Sequence, residues 1–290
     1  MTSLAVPEFA ATLSPLRDPD RDFSAYLFDL DGTIYLGAEL LPGALELITH
    51  LKDRGSRTIF LTNNPTRDPE MYVEKLASMG LTVDLRDVMN PVLSIVSWLK
   101  REHPGATVFA IAEPPLIRAL LAAGITVSDD PREIDIVIAS YDRGFDYKKL
   151  QTAFDAIWQF GRAILVTTNP DRYCPFPGGR GEPDAAAIVA AIEASTGVTC
   201  QANAGKPDRI MIDAVLETLD AAVKPEDCVM VGDRLYTDIK MALNAGMASA
   251  LVLTGETTIA GLELCEPEDR PDYVLERIDR LVPGLWNGAL

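Results

Sequence analysis

The segment Phe28-Asp29-Leu30-Asp31-Gly32-Thr33 follows a short apolar run, Tyr26-Leu27-Phe28, that reads as a buried strand. In an extended chain, residues i and i+2 point to one side, so Asp29 and Asp31 face together while Leu30 turns into the core. Two carboxylates this close repel, and one keeps its proton unless a cation lies between them. Taken alone, the segment is equally a solvated Asp-Asp turn closed by Gly32. Its company in the rest of the chain decides between the two readings.

Working outward, short apolar runs alternate with helical patterns. Strands are expected at 26–28, 57–61, 107–112, 134–139, 163–167, 228–231 and 249–253. Helices are expected at 44–53, 91–101, 114–122, 147–160, 185–195, 210–219 and 236–244, with a further one opening at Asp68-Pro69-Glu70 and stopping at Gly80. This alternation predicts an α/β protein, a doubly wound, mostly parallel, Rossmann-like sheet covered on both faces. Ligands of such sheets bind where loops leave the carboxyl ends of the strands. The polar residues there are few: Asp29 and Asp31, then Thr62, Asn63 and Asn64, then Thr168, Asn169 and Asp171, and finally Asp233.

Three further segments keep company with the Asp pair: Leu61-Thr62-Asn63-Asn64, Gly205-Lys206-Pro207, and Gly232-Asp233-Arg234 with Asp238 five residues past Asp233. Singly, each has an ordinary explanation as a turn hydroxyl, a solvated lysine or a helix N-terminal carboxylate. In this order, each at a strand end or a helix start, they resemble the haloacid dehalogenase superfamily and its aspartate-nucleophile phosphatases. Asp29–Thr33, Thr62, Lys206 and 232–238 match its four motifs. The DLDGTIYLG, FLTNN, TTNPD and GKP segments are similar to the branch of 4-nitrophenylphosphatases, pyridoxal phosphatases and NagD-type phosphatases.

The resemblance implies a Mg²⁺-dependent phosphomonoester hydrolase acting on a small phosphorylated metabolite (sugar, polyol, nucleotide or cofactor phosphate) through an aspartyl phosphate. Asp29 is then the nucleophile and Asp31 the acid and base. Mg²⁺ is held by the Asp29 carboxylate, the Asp31 carbonyl and the Asp233 carboxylate. Thr62, Asn63 and Lys206 bind the phosphoryl group, and Asp238 orients Lys206 or a metal water. Mg²⁺ suits an all-oxygen site of this kind.

Thr62 and Lys206 stand roughly 140 residues apart, far more than one crossover needs. The surplus predicts an inserted α/β cap at 90–200, a catalytic core at 23–89 and 201–290, and a loose N-terminal arm at 1–22. By analogy with the branch, the cap residues facing the core are Asn169, Asp171, Arg180 and Asp184. The stretch 173–184, rich in Gly and Pro, reads as a loop without a regular ladder. Asp184 stands where the branch has a glycine-rich turn, and reads either as a better helix cap or as an altered substrate surface. The analogy also implies a homodimer through the cap.

Charge restricts the partners. The 290 residues carry 26 Lys+Arg against 43 Asp+Glu, a net charge of −17, which disfavours nucleic acid and anionic lipid. Two histidines leave little for a zinc site or a Ser-His-Asp triad, and four dispersed cysteines read as reduced thiols. No secretory signal or membrane-length apolar run is visible, which predicts a cytoplasmic protein. A phosphomutase of the same superfamily and a non-enzymatic phospho-receiver module are the competing readings. Mutase caps usually lie between the first two motifs, and receivers have no inserted cap. No G-x-G-x-x-G follows a strand, so NAD binding is excluded.

Overall fold

The computed structural model describes residues 16–176 and 179–285. Ala25–Asp29 (β1) is buried at all five positions, as a strand covered on both faces must be. Its side chains alternate: Tyr26 and Phe28 join one apolar cluster, Ala25 and Leu27 another on the opposite face. β1 lies inside a six-stranded sheet and pairs in parallel with Arg57–Leu61 (β4) and Cys228–Gly232 (β13). Val88–Met89 (β5), Ala248–Val252 (β14) and Tyr273–Leu275 (β15) complete the order β15-β14-β13-β1-β4-β5. Helices Ala44–Asp53 (α1) and Pro69–Ser78 (α2) cover one face, Arg209–Leu216 (α7) and Lys240–Ala245 (α8) the other.

A second parallel sheet follows the order β12-β9-β8-β6-β7: Ala202–Asn203, Ile164–Thr167, Ile136–Ala139, Thr107–Ile111 and Thr126–Val127. Pro91–Glu102 (α3) and Pro114–Ala122 (α4) pack on one face, Tyr147–Phe154 (α5) and Ala185–Thr196 (α6) on the other. Both sheets bear out the expected α/β, doubly wound class. The second sheet takes in Ala202–Asn203, three residues beyond Cys200.

The structure corrects three expectations. The stretch 173–184 is a ladder, with Tyr173–Phe176 (β10) antiparallel to Arg180–Pro183 (β11). A two-stranded ribbon bonds along one side only, so prolines whose nitrogens face outward do not interrupt it. Pro177 and Gly178 lie outside the described residues, as do residues 1–15. Residues 16–22 are not loose. Arg17 exchanges both backbone hydrogen bonds with Val274, Asp18 pairs with Arg280, and Asp22 pairs with Arg54. The Arg17 bridge covers part of the open edge of β15. Finally, two expected helices carry a π-turn: α5 widens at Asp155–Gln159, and 236–244 opens as a π-turn, Leu235–Ile239, before α8. A second hairpin, Tyr35–Leu36 (β2) with Glu39–Leu40 (β3), directly follows the Asp29–Thr33 motif. Among the described residues, no helix is long and apolar enough to cross a membrane.

Candidate active site

Because β1, β4 and β13 run parallel, their carboxyl ends open on one edge of the core. That edge brings together Asp29, Thr62 and Asp233. Lys206, buried to 2% exposure, reaches in from the segment after β12. Its ammonium donates to Asp29 Oδ1 and, at 2.8 Å, to Asp238 Oδ1. The other oxygen of Asp238 accepts from the Arg234 N–H at 3.0 Å, so both its oxygens are spent within the protein. The π-turn makes this geometry: Asp238 and Ile239 both donate to Arg234 C=O, and the widened turn folds the carboxylate back over its own start.

Glycines let these carboxylates approach the backbone. A Cβ on Gly255 would lie 2.0 Å from Asp233 Oδ2, and one on Gly232 would lie 2.3 Å from Asp238. A Cβ on Gly32 would lie 2.6 Å from Asp233 Oδ2, and Gly32 also has φ +88, which only glycine adopts without strain. Asp233 Oδ2 accepts the Glu256 N–H at 2.6 Å. Its Oδ1 is buried with no hydrogen-bond partner. Asp29, Asp233 and Asp238 present oxygens all within 4.8 Å of one another, a set of groups that could hold a metal ion.

The electrostatics carry the same imbalance. Burial, then the Asp238 and Asp233 charges, push Asp29 well above the usual carboxylate range, against the pull of Lys206. Burial and Asp238 raise Asp233 to about 6. Burial alone would lower Lys206, but Asp238 and Asp29 outweigh it and hold the ammonium firmly charged. Asp29, Asp171, Asp233 and Asp238 outnumber the Lys206 ammonium and the Arg234 guanidinium, and this excess negative charge is one a hard cation would offset.

The remaining sequence candidates divide. Thr62 is buried and accepts the Asn64 N–H at 3.1 Å. Asp31 is exposed, apart from the carboxylate cluster, with its Oδ2 3.1 Å from the Tyr35 hydroxyl. The Asn63 side chain does not face the cleft as a phosphate ligand. It accepts the Lys206 N–H at 2.7 Å and donates to the Lys206 carbonyl at 3.1 Å, fixing the lysine segment. What Asn63 can offer a phosphate is its backbone N–H.

In the second-sheet region, Asn169 is fully buried and donates to the Asn63 carbonyl and to Asp184 Oδ1, bolting the two sheets' strand-end loops together. Asp171 faces Arg234 of the core, whose Nη1 lies 3.8 Å from Asp171 Oδ1, a buried oxygen without a hydrogen bond. Arg180 is exposed and pairs with Glu182 at 2.7 Å. Asp184 turns inward, where its Oδ1 caps α6 on the Ala185 N–H at 2.6 Å. Of its two sequence readings, the helix cap is the one the geometry carries.

Arg234 is the residue that the sequence reading passed over. It sits beside Asp233 and faces Asp171, with its Nε 2.9 Å from Glu256 Oε2 but out of line for a hydrogen bond. Its only sequence signal was its place in Gly232-Asp233-Arg234.

The inward turn of Asp184 has a pH consequence. Burial raises its carboxyl to about 6, against the pull of its Ala185 and Asn169 hydrogen bonds. Between about pH 4 and 6 the folded chain therefore holds a proton that the unfolded chain releases. This stabilisation is complete below about pH 4 and lost as pH rises through about 6. Asp184→Asn keeps a capping oxygen and removes that loss, so its melting temperature should gain on wild type from pH 4 to pH 8. Asp184→Ala loses the cap, about 1 kcal/mol, at every pH. Parallel melting curves for wild type and Asp184→Asn across this range would refute the assignment.

Two family models match the chain: a haloacid dehalogenase-like hydrolase model over residues 26–126 and a HAD-hydrolase-like model over 203–281. An acid sugar phosphatase of Staphylococcus saprophyticus is 33% identical over 266 residues, covering 91% of this chain and 99% of the relative. The structure of a 4-nitrophenylphosphatase from Thermotoga maritima superposes with a TM-score of 0.82 at 36% identity, covering 89% of this chain and 96% of that one. A glycerol phosphate phosphatase from Mycobacterium tuberculosis, solved in complex with magnesium, gives a TM-score of 0.78 at 30% identity over 89% of this chain and 77% of that one. The same enzyme has been solved in complex with calcium. The chain belongs to the haloacid dehalogenase-like hydrolase family. Within it, the chain is a phosphatase of the branch that holds the 4-nitrophenylphosphatases and NagD.

Proposed function

We propose that this chain hydrolyses small phosphomonoesters, sugar and polyol phosphates among them, with Mg²⁺ and an aspartyl-phosphate intermediate. The observation that carries the proposal is the carboxylate cluster: Asp29, Asp233 and Asp238 around the single ammonium of Lys206, with Asp233 Oδ1 buried and unpartnered. A divalent cation fits this donor set, because every candidate ligand is a hard oxygen and an orphaned carboxylate oxygen needs a partner. Asp29, Asp233 and the Asp31 carbonyl would hold Mg²⁺, which when bound supplies positive charge against the phosphoryl oxygens.

The chain's own residues do the rest. Asp29, fixed by Lys206, attacks phosphorus and splits one hard displacement into two easier ones. Lys206 and the Thr62 hydroxyl hold the phosphoryl oxygens, and Asp238 keeps the ammonium aimed. Asp31 gives a proton to the departing ester oxygen and then takes one from the water that cleaves the aspartyl phosphate. In this scheme residues 23–89 and 204–285 form the core and 90–203 the cap, whose sheet ends with Ala202–Asn203.

These core groups meet only the phosphoryl moiety, which all substrates share, so discrimination belongs to the cap. Asp171, which faces Arg234 beside Asp233, and the β10–β11 hairpin with Arg180 are the candidates for meeting the leaving group. A phosphate-release panel over sugar, polyol, nucleotide and cofactor monophosphates with Mg²⁺ tests the proposal. Arg180→Ala should change kcat/KM unequally across it, by about 1–3 kcal/mol in discrimination. No release from any monoester would overturn the function, and a uniform effect would move specificity elsewhere.

A further inference from the structure

Asp31 is asked to deliver a proton, yet its side chain is exposed and stands outside the cluster that fixes Asp29, Asp233, Asp238 and Lys206. Proton transfer needs the carboxyl held within hydrogen-bond reach of the ester oxygen, and a freely rotating carboxylate forfeits that. Among the described residues, one side chain donates to it: Tyr35, whose hydroxyl lies 3.1 Å from Asp31 Oδ2.

The turn between them makes the contact. Leu30 C=O accepts the N–H groups of Ile34 and Tyr35 at 2.9 and 3.1 Å, and Gly32 donates to Tyr35 C=O at 2.8 Å. The chain thus doubles back, bringing the side chains of Asp31 and Tyr35 together. Tyr35 is held from all sides: its ring is fully buried, its backbone pairs with Leu40, and the Lys75 ammonium sits 3.5 Å from the ring centroid. A tyrosine phenol carries its proton at neutral pH, so toward a carboxylate oxygen it acts as the donor.

We propose that Tyr35 is the positioning residue of the acid/base step: its hydroxyl grips Asp31 Oδ2 and leaves Oδ1 aimed at the leaving-group oxygen. The inference rests on the assignment of Asp31 as proton donor and acceptor. Tyr35 keeps its own proton throughout. The proton on Asp31 Oδ1 passes to the ester oxygen as the P–O bond breaks. Oδ1 then takes a proton from the water whose oxygen bonds to phosphorus as the bond from Asp29 to phosphorus breaks, releasing inorganic phosphate and restoring the Asp29 carboxylate.

The alternative is that Tyr35 only fills the core, a task that Phe would perform equally. The test is Tyr35→Phe, assayed on nitrophenyl phosphate, whose leaving group needs little protonation, and on glycerol phosphate, whose alkoxide needs much. A melting curve accompanies each assay to verify folding. For glycerol phosphate we expect kcat to fall about tenfold or more with KM nearly unchanged, and for nitrophenyl phosphate kcat to fall less than about threefold. Asp31→Asn should show the same pattern more strongly. An active wild type whose Tyr35→Phe variant loses nothing, or loses equally on both esters, overturns the inference alone. A wild type that hydrolyses neither ester overturns the functional proposal, and the inference with it.

Discussion

Asp29→Asn should lower kcat by roughly four to six orders of magnitude on every phosphomonoester, while the protein stays folded. The residue ends β1, where its side chain is fixed by the strand on one side and by Lys206 on the other. Asparagine has the same shape and keeps an oxygen for the ammonium, so the strand end should not move. What disappears is the nucleophile, because an amide oxygen does not displace an alkoxide from phosphorus at a useful rate. The substitution also removes one of three clustered carboxylates, so the metal-free variant should melt no lower than wild type as like-charge repulsion falls. Acid quenching during turnover provides an independent check: wild type should trap a phosphoryl group on Asp29, and Asp29→Asn should trap none. Near-normal turnover in the variant, or a label on another residue, would remove Asp29 from its role.

How far the sequence foretold this site depends on the range of each interaction. The strands that lead into Asp29, Thr62 and Asp233 were legible because burial on both faces leaves unbroken apolar runs, and a strand's end is a local event. Lys206 and Asp238 were legible only through the resemblance of their segments to the family's motifs, since nothing local in Gly205-Lys206-Pro207 shows that its ammonium will meet residues far away in the chain. The bolt from Asn169 through Asn63 to the Lys206 backbone had no local signature. An asparagine beside a strand end looks the same whether it meets phosphate or another loop. Asp184 was ambiguous for a related reason: cap and ligand share the same residue types, and only its burial decides. The β10–β11 ribbon was missed because Gly and Pro mark turns and loops in the usual reading, whereas a two-stranded ladder tolerates both. The two-residue strands β2, β3, β5, β7 and β12 are too short for any period to register.

Removal of divalent metal should abolish turnover, and Mg²⁺ should restore it. The reason lies in charge around one point: Asp29, Asp233 and Asp238 face a single ammonium, and Asp233 Oδ1 is buried without a partner. Without a cation, the cluster relieves its repulsion by holding a proton, which is the direction in which burial and neighbouring charge move both Asp29 and Asp233. A protonated Asp29 is a poor nucleophile, and a phosphate dianion entering such a pocket meets net negative charge. Mg²⁺ reverses both conditions. Because it binds the folded chain, it should also raise the melting temperature in a concentration-dependent way, a readout independent of catalysis. Asp233→Asn separates the two effects: it should melt at or above wild type in EDTA, gain little from Mg²⁺, and stay inactive in both. Ca²⁺ should stabilise wild type without supporting turnover, since its longer bonds and looser coordination displace the groups that must meet in line. Full activity in metal-free buffer, or an Asp233→Asn variant that still gains stability from Mg²⁺ as wild type does, would show that these carboxylates serve another purpose.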